Sequence, residues 1–180
     1  MTTRVLYLFG CAAPPVLDLV PVISSARRDG WDVCLGLTPT AAKWLADALP
    51  RLKAVTGHPV RSEYKLPGEP DAWPPADAIL VAPATFNSIN SWALGLTSSF
   101  VIGVAAEAIG KRIPLVAMPC VNSAFVRHPQ FDRSVETLRG AGVNVLYGED
   151  GFVPNRPGEK KPFPWQVALD AVNATVSPAC

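Results

Sequence analysis

No apolar run in the 180-residue chain approaches the roughly 18 to 20 residues that a membrane-spanning helix needs, so insertion into a bilayer is not expected. Neither sign of charge predominates, with 16 Lys and Arg against 15 Asp and Glu. That balance lacks the basic face that nucleic acid or an anionic membrane selects for, and neither is expected as a partner. The four residues ahead of the apolar stretch 5–9 are too few for a signal peptide, which makes the cytosol the expected compartment. Cysteine is scarce and scattered. Cys11, Cys34, Cys120 and Cys180 form no C-x-x-C pair and have no histidine at zinc-ligand spacing, so reduced thiols and no metal site are expected. Internal repeats are absent. What the chain does have is 49% apolar residues, punctuated by 19 prolines and 13 glycines that separate short segments and build no low-complexity tract. That length and composition predict a single domain over 1–180.

The segments alternate. Residues 4–9 read as a strand buried on both faces, ending in Gly10. Val16, Leu19, Val20, Ile23 and Ala26 follow at helical spacing up to Asp29-Gly30. A second strand is predicted over 32–37, then a helix opened by Thr38-Pro39-Thr40 and halted by Pro50. The proline-rich stretch that follows predicts a short strand near Val60 and an irregular loop over 64–75. Residues 76–82 form the clearest strand, with Pro83 at its end, where the ladder no longer needs an N–H. Further elements are a helix from Phe86 to about Gly110 broken near Gly95, a strand over 113–118, a helix over 130–140, a strand over 143–147, a loop over 149–164 and a helix and tail over 165–180. Strands alternating with helices predict an α/β fold: a three-layer α/β/α Rossmann-like (flavodoxin-like) open parallel sheet.

In such sheets ligands bind beyond the carboxyl ends of the strands. Four segments are expected there: 10–15, 38–40, 83–88 and 119–122. Gly10-Cys-Ala-Ala-Pro-Pro15 lacks the later glycines of G-x-G-x-x-G, and residues 37–40 contain no acid to grip a ribose, which disfavours an NAD-dependent reductase. Thr38, Thr40, Thr85 and Ser88 offer hydroxyls for a phosphate or ring carbonyl; Thr38 and Thr85 equally suit helix caps.

Two of these segments carry a family resemblance. Ala82-Pro-Ala-Thr-Phe-Asn-Ser88, followed by Trp92-Ala-Leu-Gly95, is similar to a P-A-x-A-N-T motif, and Met118-Pro-Cys-Val-Asn-Ser-Ala-Phe125 to a P-x-M-N-x-x-M motif. Both mark the homo-oligomeric FMN-dependent cysteine decarboxylases, among them phosphopantothenoylcysteine decarboxylase and the peptidyl-cysteine decarboxylases, and the similarity runs over about 4–147. The resemblance implies FMN as cofactor, with its phosphate at Ala13 and Pro14 assisted by Thr38 and Thr40. It implies that Thr85, Phe86, Asn87 and Ser88 hold the flavin, with the Cys120 backbone against its ring, and that Asn122 binds a substrate carboxylate. A neutral amide suits that last task, because it orients a carboxylate without pinning it against loss of CO₂. The alternative for Asn122 is a turn-closing residue. Family chemistry removes two electrons from a cysteine side chain and passes through a thioaldehyde to an enethiol. The resemblance also implies a trimer, or a multiple of trimers, and a small-molecule or peptide substrate bearing a carboxylate.

The departures from the pattern are as informative. Glu69, in Gly68-Glu-Pro-Asp71, stands in the place of the family's histidine base, and serves either as a base or as a solvated loop charge. His58 and His128 lie outside the motif. Ser91 replaces a lysine, Ser98 and Ser99 replace paired aspartates, and Ala13-Pro14 replaces Gly-Ser. The loop over 149–164 occupies the place of a substrate-covering flap but lacks its cysteine; Phe152, Arg156, Lys160, Lys161 and Phe163 either clamp an anionic substrate or form an exposed polar loop. These departures point away from housekeeping coenzyme A synthesis. They leave two readings: an FMN-dependent oxidative decarboxylase of a cysteine-containing peptide or small molecule in secondary metabolism, and a non-catalytic FMN-binding or regulatory protein that has lost the histidine.

Overall fold

The computed structural model describes residues 3–149 and 151–176, so the expectations for Cys180, for the tail 177–180 and for Asp150 in the predicted loop lie outside the described residues. Among the described residues five strands, β1 (Arg4–Gly10), β2 (Trp31–Leu37), β3 (Ala78–Ala84), β4 (Leu115–Pro119) and β5 (Asn144–Val145), pair in the order β2-β1-β3-β4-β5, every pairing parallel. This is the flavodoxin-like order. β3 is buried at every position, which is why it reads as an unbroken apolar run with no alternation.

Among the described residues eight α-helices connect and flank the strands: α1 (Leu19–Arg28), α2 (Pro39–Trp44), α3 (Leu49–Thr56), α4 (Phe86–Ala93), α5 (Phe100–Lys111), α6 (Ser123–Val126), α7 (Pro129–Gly140) and α8 (Trp165–Thr175). In α1, Leu19, Val22, Ile23 and Ala26 recur at the three- and four-residue spacing of one helical face and are buried on β2 and α3. α8 covers β3 and β4, and α4 packs against α5 and α7. The break between α4 and α5 falls at Gly95, whose φ of +70° suits a residue without Cβ.

Five local expectations change. Pro50 does not end a helix; it sits in the first turn of α3, where its missing N–H has no intrahelical partner to lose. The segment near Val60 makes no strand, only a bridge from Arg61 to Gly36 on the outer edge of β2. Pro83 lies inside β3 at a shift of register between Val81 and Ala84, where the ladder is already interrupted. The last strand contracts to Asn144–Val145, and residues 14–18 form a 3-10 turn ahead of α1. The irregular loop over 64–75 is as expected, pinned to the turn ahead of α5 by Tyr64, whose hydroxyl donates to the Thr97 carbonyl at 2.9 Å.

Register brings the carboxyl ends of four strands to one rim. Gly10 lies opposite Leu37, and Ala84 opposite Pro119. Backbone bonds bind the rim together: the Cys11 N–H donates to the Pro83 carbonyl at 3.0 Å, Thr38 to Gly10 at 3.0 Å, and Cys120 to Ala84 at 2.8 Å. Gly10 is needed for this closure, since a Cβ there would come within 2.9 Å of Val16 and 3.0 Å of Leu37.

Candidate functional site

A cleft of about 820 Å³ opens on that rim, where β1 and β3 diverge into connections running in opposite directions along the sheet. Ala13, Pro14, Thr38 and Thr40 line one side, Thr85 to Ser88 its floor, and Cys120 and Asn122 the other side. Every position singled out in the sequence as cofactor- or carboxylate-binding therefore meets in one cavity. Glu69 does not. It is exposed on the loop ahead of β3, where its Oε2 accepts the Leu66 N–H at 2.9 Å and closes a turn.

The two threonines cap helices and line the cleft at once. Thr38 Oγ1 accepts the Ala41 N–H at 3.4 Å at the start of α2, and Thr85 Oγ1 accepts the Ser88 N–H at 3.2 Å at the start of α4. An accepting hydroxyl keeps its proton, so Thr38 still has a donor for an anion in the cleft. Thr85 and Ser88 share a hydroxyl bond of 2.9 Å. Ser91, Ser98 and Ser99 also line the cleft, so charged residues expected from the family motif are hydroxyls on its wall. Arg156 and Glu159 are the charged residues among those lining it.

Asn122 has the turn-closing geometry. Its Oδ1 accepts the N–H of Ala124 at 3.0 Å and of Phe125 at 3.1 Å and caps the short helix α6. With the oxygen thus occupied, the Nδ2 protons are the part of the amide left for a ligand. Donors fixed in place fit a carboxylate. Phe125 beside it is 48% exposed and stacks on Phe86 with ring centroids 4.8 Å apart; Phe86 in turn lies over buried Phe131. The cleft thus has an aromatic wall next to the amide.

Proton-transfer groups are few. Burial pushes the Cys120 thiol up to about 11, so it stands in the wall as a neutral thiol. Burial likewise raises fully buried Cys11 beneath the cleft, offset in part by hydrogen bonds from Ser88 and Thr85. Glu159 is held below the usual carboxyl range by the Arg156 N–H and then by Lys161, which makes it a poor base. His128 is exposed and caps α7 through Nδ1, with its ring edge against Phe86. His58 is bonded to Asp32 at 2.9 Å, at the amino end of β2 and away from the rim. Among the described residues no group of three or more His, Cys, Asp or Glu could hold a metal ion, and no helix is long and apolar enough to cross a membrane.

The loop after β5 is structured. Phe152 is buried and packs on Phe163, which packs on Trp165, tying the loop to α8. A bridge joins Asn155 to Asn122, and Asn155 and Arg156 line the cleft. Lys160 and Lys161 do not line it. Asn155 carries no motif signature, and the pairing that brings it to Asn122 is a property of the fold alone.

The family model described as Flavoprotein matches residues 8–178. The coenzyme A biosynthesis bifunctional protein CoaBC of Thermococcus kodakarensis is 30% identical over 145 residues; the match covers 75% of this chain and 35% of that protein, about a third of its length. Among solved structures, the FMN-dependent cysteine decarboxylase SpaF superposes with a TM-score of 0.74 at 20% identity, over 97% of each chain. The peptidyl-cysteine decarboxylase EpiD superposes with a TM-score of 0.71 at 18% identity, over 95% of this chain and 99% of that one. At those identities the superpositions establish a shared fold.

Proposed function

The chain belongs to the Flavoprotein family, and from that premise we propose that it binds FMN in the rim cleft and acts with it on a thiol-bearing carboxylate. The observation that carries this reading is the convergence of the four strand-end segments on one cavity, with the Nδ2 donors of Asn122 left for a ligand. The residues present fit a flavin mononucleotide. Thr38 and Thr40, beside Ala13 and Pro14, provide neutral donors for its phosphate, while Thr85 to Ser88 and the Cys120 backbone receive the ring. The flavin supplies the two-electron chemistry. The protein's part is to hold the carboxylate on Asn122, place the thiol, and shield both beneath the loop carrying Asn155 and Arg156. Oxidative decarboxylation of a cysteine-containing peptide or small molecule is the resulting reaction, as the names of the structural neighbours suggest for those proteins.

One observation favours a second reading, a flavin-binding protein without decarboxylase activity. The residue in the place of the family's histidine base, Glu69, closes a turn and does not line this chain's cleft, and Glu159, which does line it, is a poor base. The absorption spectrum of the purified protein tests the common ground. Bound FMN gives bands near about 370 and 450 nm, and colourless protein that fails to take up added FMN removes both readings. The chain is further proposed to assemble as a trimer or a multiple of trimers, which size-exclusion chromatography with light scattering tests; a flavin-loaded monomer refutes the oligomer alone.

A further inference from the structure

A second cavity, of about 500 Å³, lies between the loop over 64–75 and α5, over Tyr7 of β1 and Ile79 of β3. It shares no lining residue with the rim cleft, and the proposed reaction leaves it without a task. Its size falls within the roughly 300–1,000 Å³ usual for small-molecule sites. Aromatic side chains build its wall. The Trp73 ring centre lies 5.0 Å from that of Tyr7 and 5.8 Å from that of Phe100, and Tyr64 stands edge-on to Phe100 at 5.8 Å. Each polar tip is already engaged: the Tyr7 hydroxyl donates to the Pro74 carbonyl at 2.7 Å, Trp73 Nε1 to the Pro59 carbonyl at 2.9 Å, and the Tyr64 hydroxyl to the Thr97 carbonyl. What these rings offer a ligand is therefore apolar surface, continued by Val104 and Ile113.

Charge is unevenly shared in the same cavity. Its acids, Asp71 and Glu107, are both paired, with Lys65 at 2.6 Å and with Lys111 at 3.0 Å. Arg61 is the remaining cation in the lining and makes no ion pair among the described residues. Its guanidinium carbon lies 4.2 Å from the ring centre of Phe100 and 5.3 Å from that of Trp73, and its side chain makes one long hydrogen bond, to the Glu63 carbonyl at 3.5 Å. An uncompensated positive charge thus stands against the aromatic wall with N–H donors to spare, and a planar guanidinium can take a carboxylate through two of them. We propose that this cavity is a second ligand site, taking a small aromatic carboxylate with its ring against Tyr64 and Val104 and its carboxylate on Arg61. A surplus of a single charge matches a monoanion, and neither the ring nor the charge involves the flavin reading of the rim cleft.

The test is calorimetric titration of the full chain, with FMN in excess to occupy the rim cleft, using 2-naphthoate and 2-naphthamide, which has the same ring without the charge. The acid should bind the wild type about tenfold more tightly than the amide. In Arg61→Gln, which removes the charge and keeps an amide donor, the two should bind within about twofold of each other. Val104→Trp leaves every charge in place and puts an indole in the space of the ligand's ring, so it should weaken both probes by about fivefold or more. No binding of 2-naphthoate by the wild type, or equal binding of acid and amide, overturns the proposal. Binding of 2-naphthoate that is unchanged in both variants places the probe elsewhere on the protein and overturns it as well.

Discussion

Replacing Asn122 by aspartate keeps one task of the side chain and inverts the other. A carboxylate at this position still accepts the N–H groups of Ala124 and Phe125, now at 3.0 and 3.1 Å from Oδ1, so the cap of α6 survives. The Nδ2 donors are lost, and a negative charge takes their place in front of the ligand carboxylate. Loss of one hydrogen bond to a charged group costs about 1.5–3 kcal/mol. Two like charges about 4 Å apart add about 4 kcal/mol at an effective dielectric of about 20, less whatever salt screens. Since about 1.4 kcal/mol is tenfold, binding of a short peptide ending in cysteine should weaken by at least about 10²-fold in Asn122→Asp, while urea stability and flavin content stay at the wild-type level. Asn122→Ala reverses the emphasis: it loses the donors without the repulsion and loses the cap, for about 1 kcal/mol of stability. Following the flavin absorption during peptide titration, alongside urea unfolding, gives both quantities for each variant. Peptide binding within about threefold of wild type in Asn122→Asp, or weaker binding in Asn122→Ala than in Asn122→Asp, would show that the side chain closes a turn and holds no carboxylate.

Glu69→Gln should change nothing in an assay for loss of CO₂ plus two hydrogens from peptides ending in cysteine, and the wild type should itself be slow, because general-base catalysis contributes roughly 10²- to 10⁴-fold and no well-placed base lines the cleft. Rapid loss of that mass, abolished in Glu69→Gln, would identify Glu69 as the base, reaching a cleft other than its own. Gly103→Ala should loosen the loop ahead of β3, since a Cβ there collides with the Tyr64 hydroxyl and breaks its bonds to the Thr97 and Ser99 carbonyls; about 1–2 kcal/mol of stability and faster proteolysis near Tyr64 are expected, and unchanged values refute the pinning. Burial raises the thiols of Cys120 and Cys34 to about 11 and about 12, with Asp32 adding to the second. An unfolded chain releases those protons nearer to about 8.5, so stability should fall as pH climbs above that value towards 11, and a urea midpoint that is flat or rising over that range contradicts the assignment.

Much of the fold was legible because its signals are local. The apolar run ahead of Pro83, the helical spacing of Leu19, Ile23 and Ala26, and the break at Gly95 each depend on a few neighbouring residues. Pro50 was misread for a related reason: proline stops one helix and starts another with equal ease, and only the packing of α3 against α1 shows which it does here. The short stretch near Val60 has strand composition, but it meets β2 at a sheet edge, where a single bridge replaces a ladder.

By itself the sequence determined the flavodoxin-like alternation, the strand-end segments that carry the chemistry and the family to which the chain belongs, since these rest on periodicity and on motifs written in consecutive residues. Tertiary structure alone decided that Asn122 caps α6 with its oxygen and so keeps only its Nδ2 donors for a ligand, that Asn155 pairs with Asn122 across a bridge, and that Glu69 closes a turn and does not line this chain's cleft. The physical reason is range: a helix or strand follows from neighbours along the chain, whereas the direction of a side chain and the occupancy of each of its polar atoms follow from partners that only register and loop closure bring within a hydrogen bond's reach.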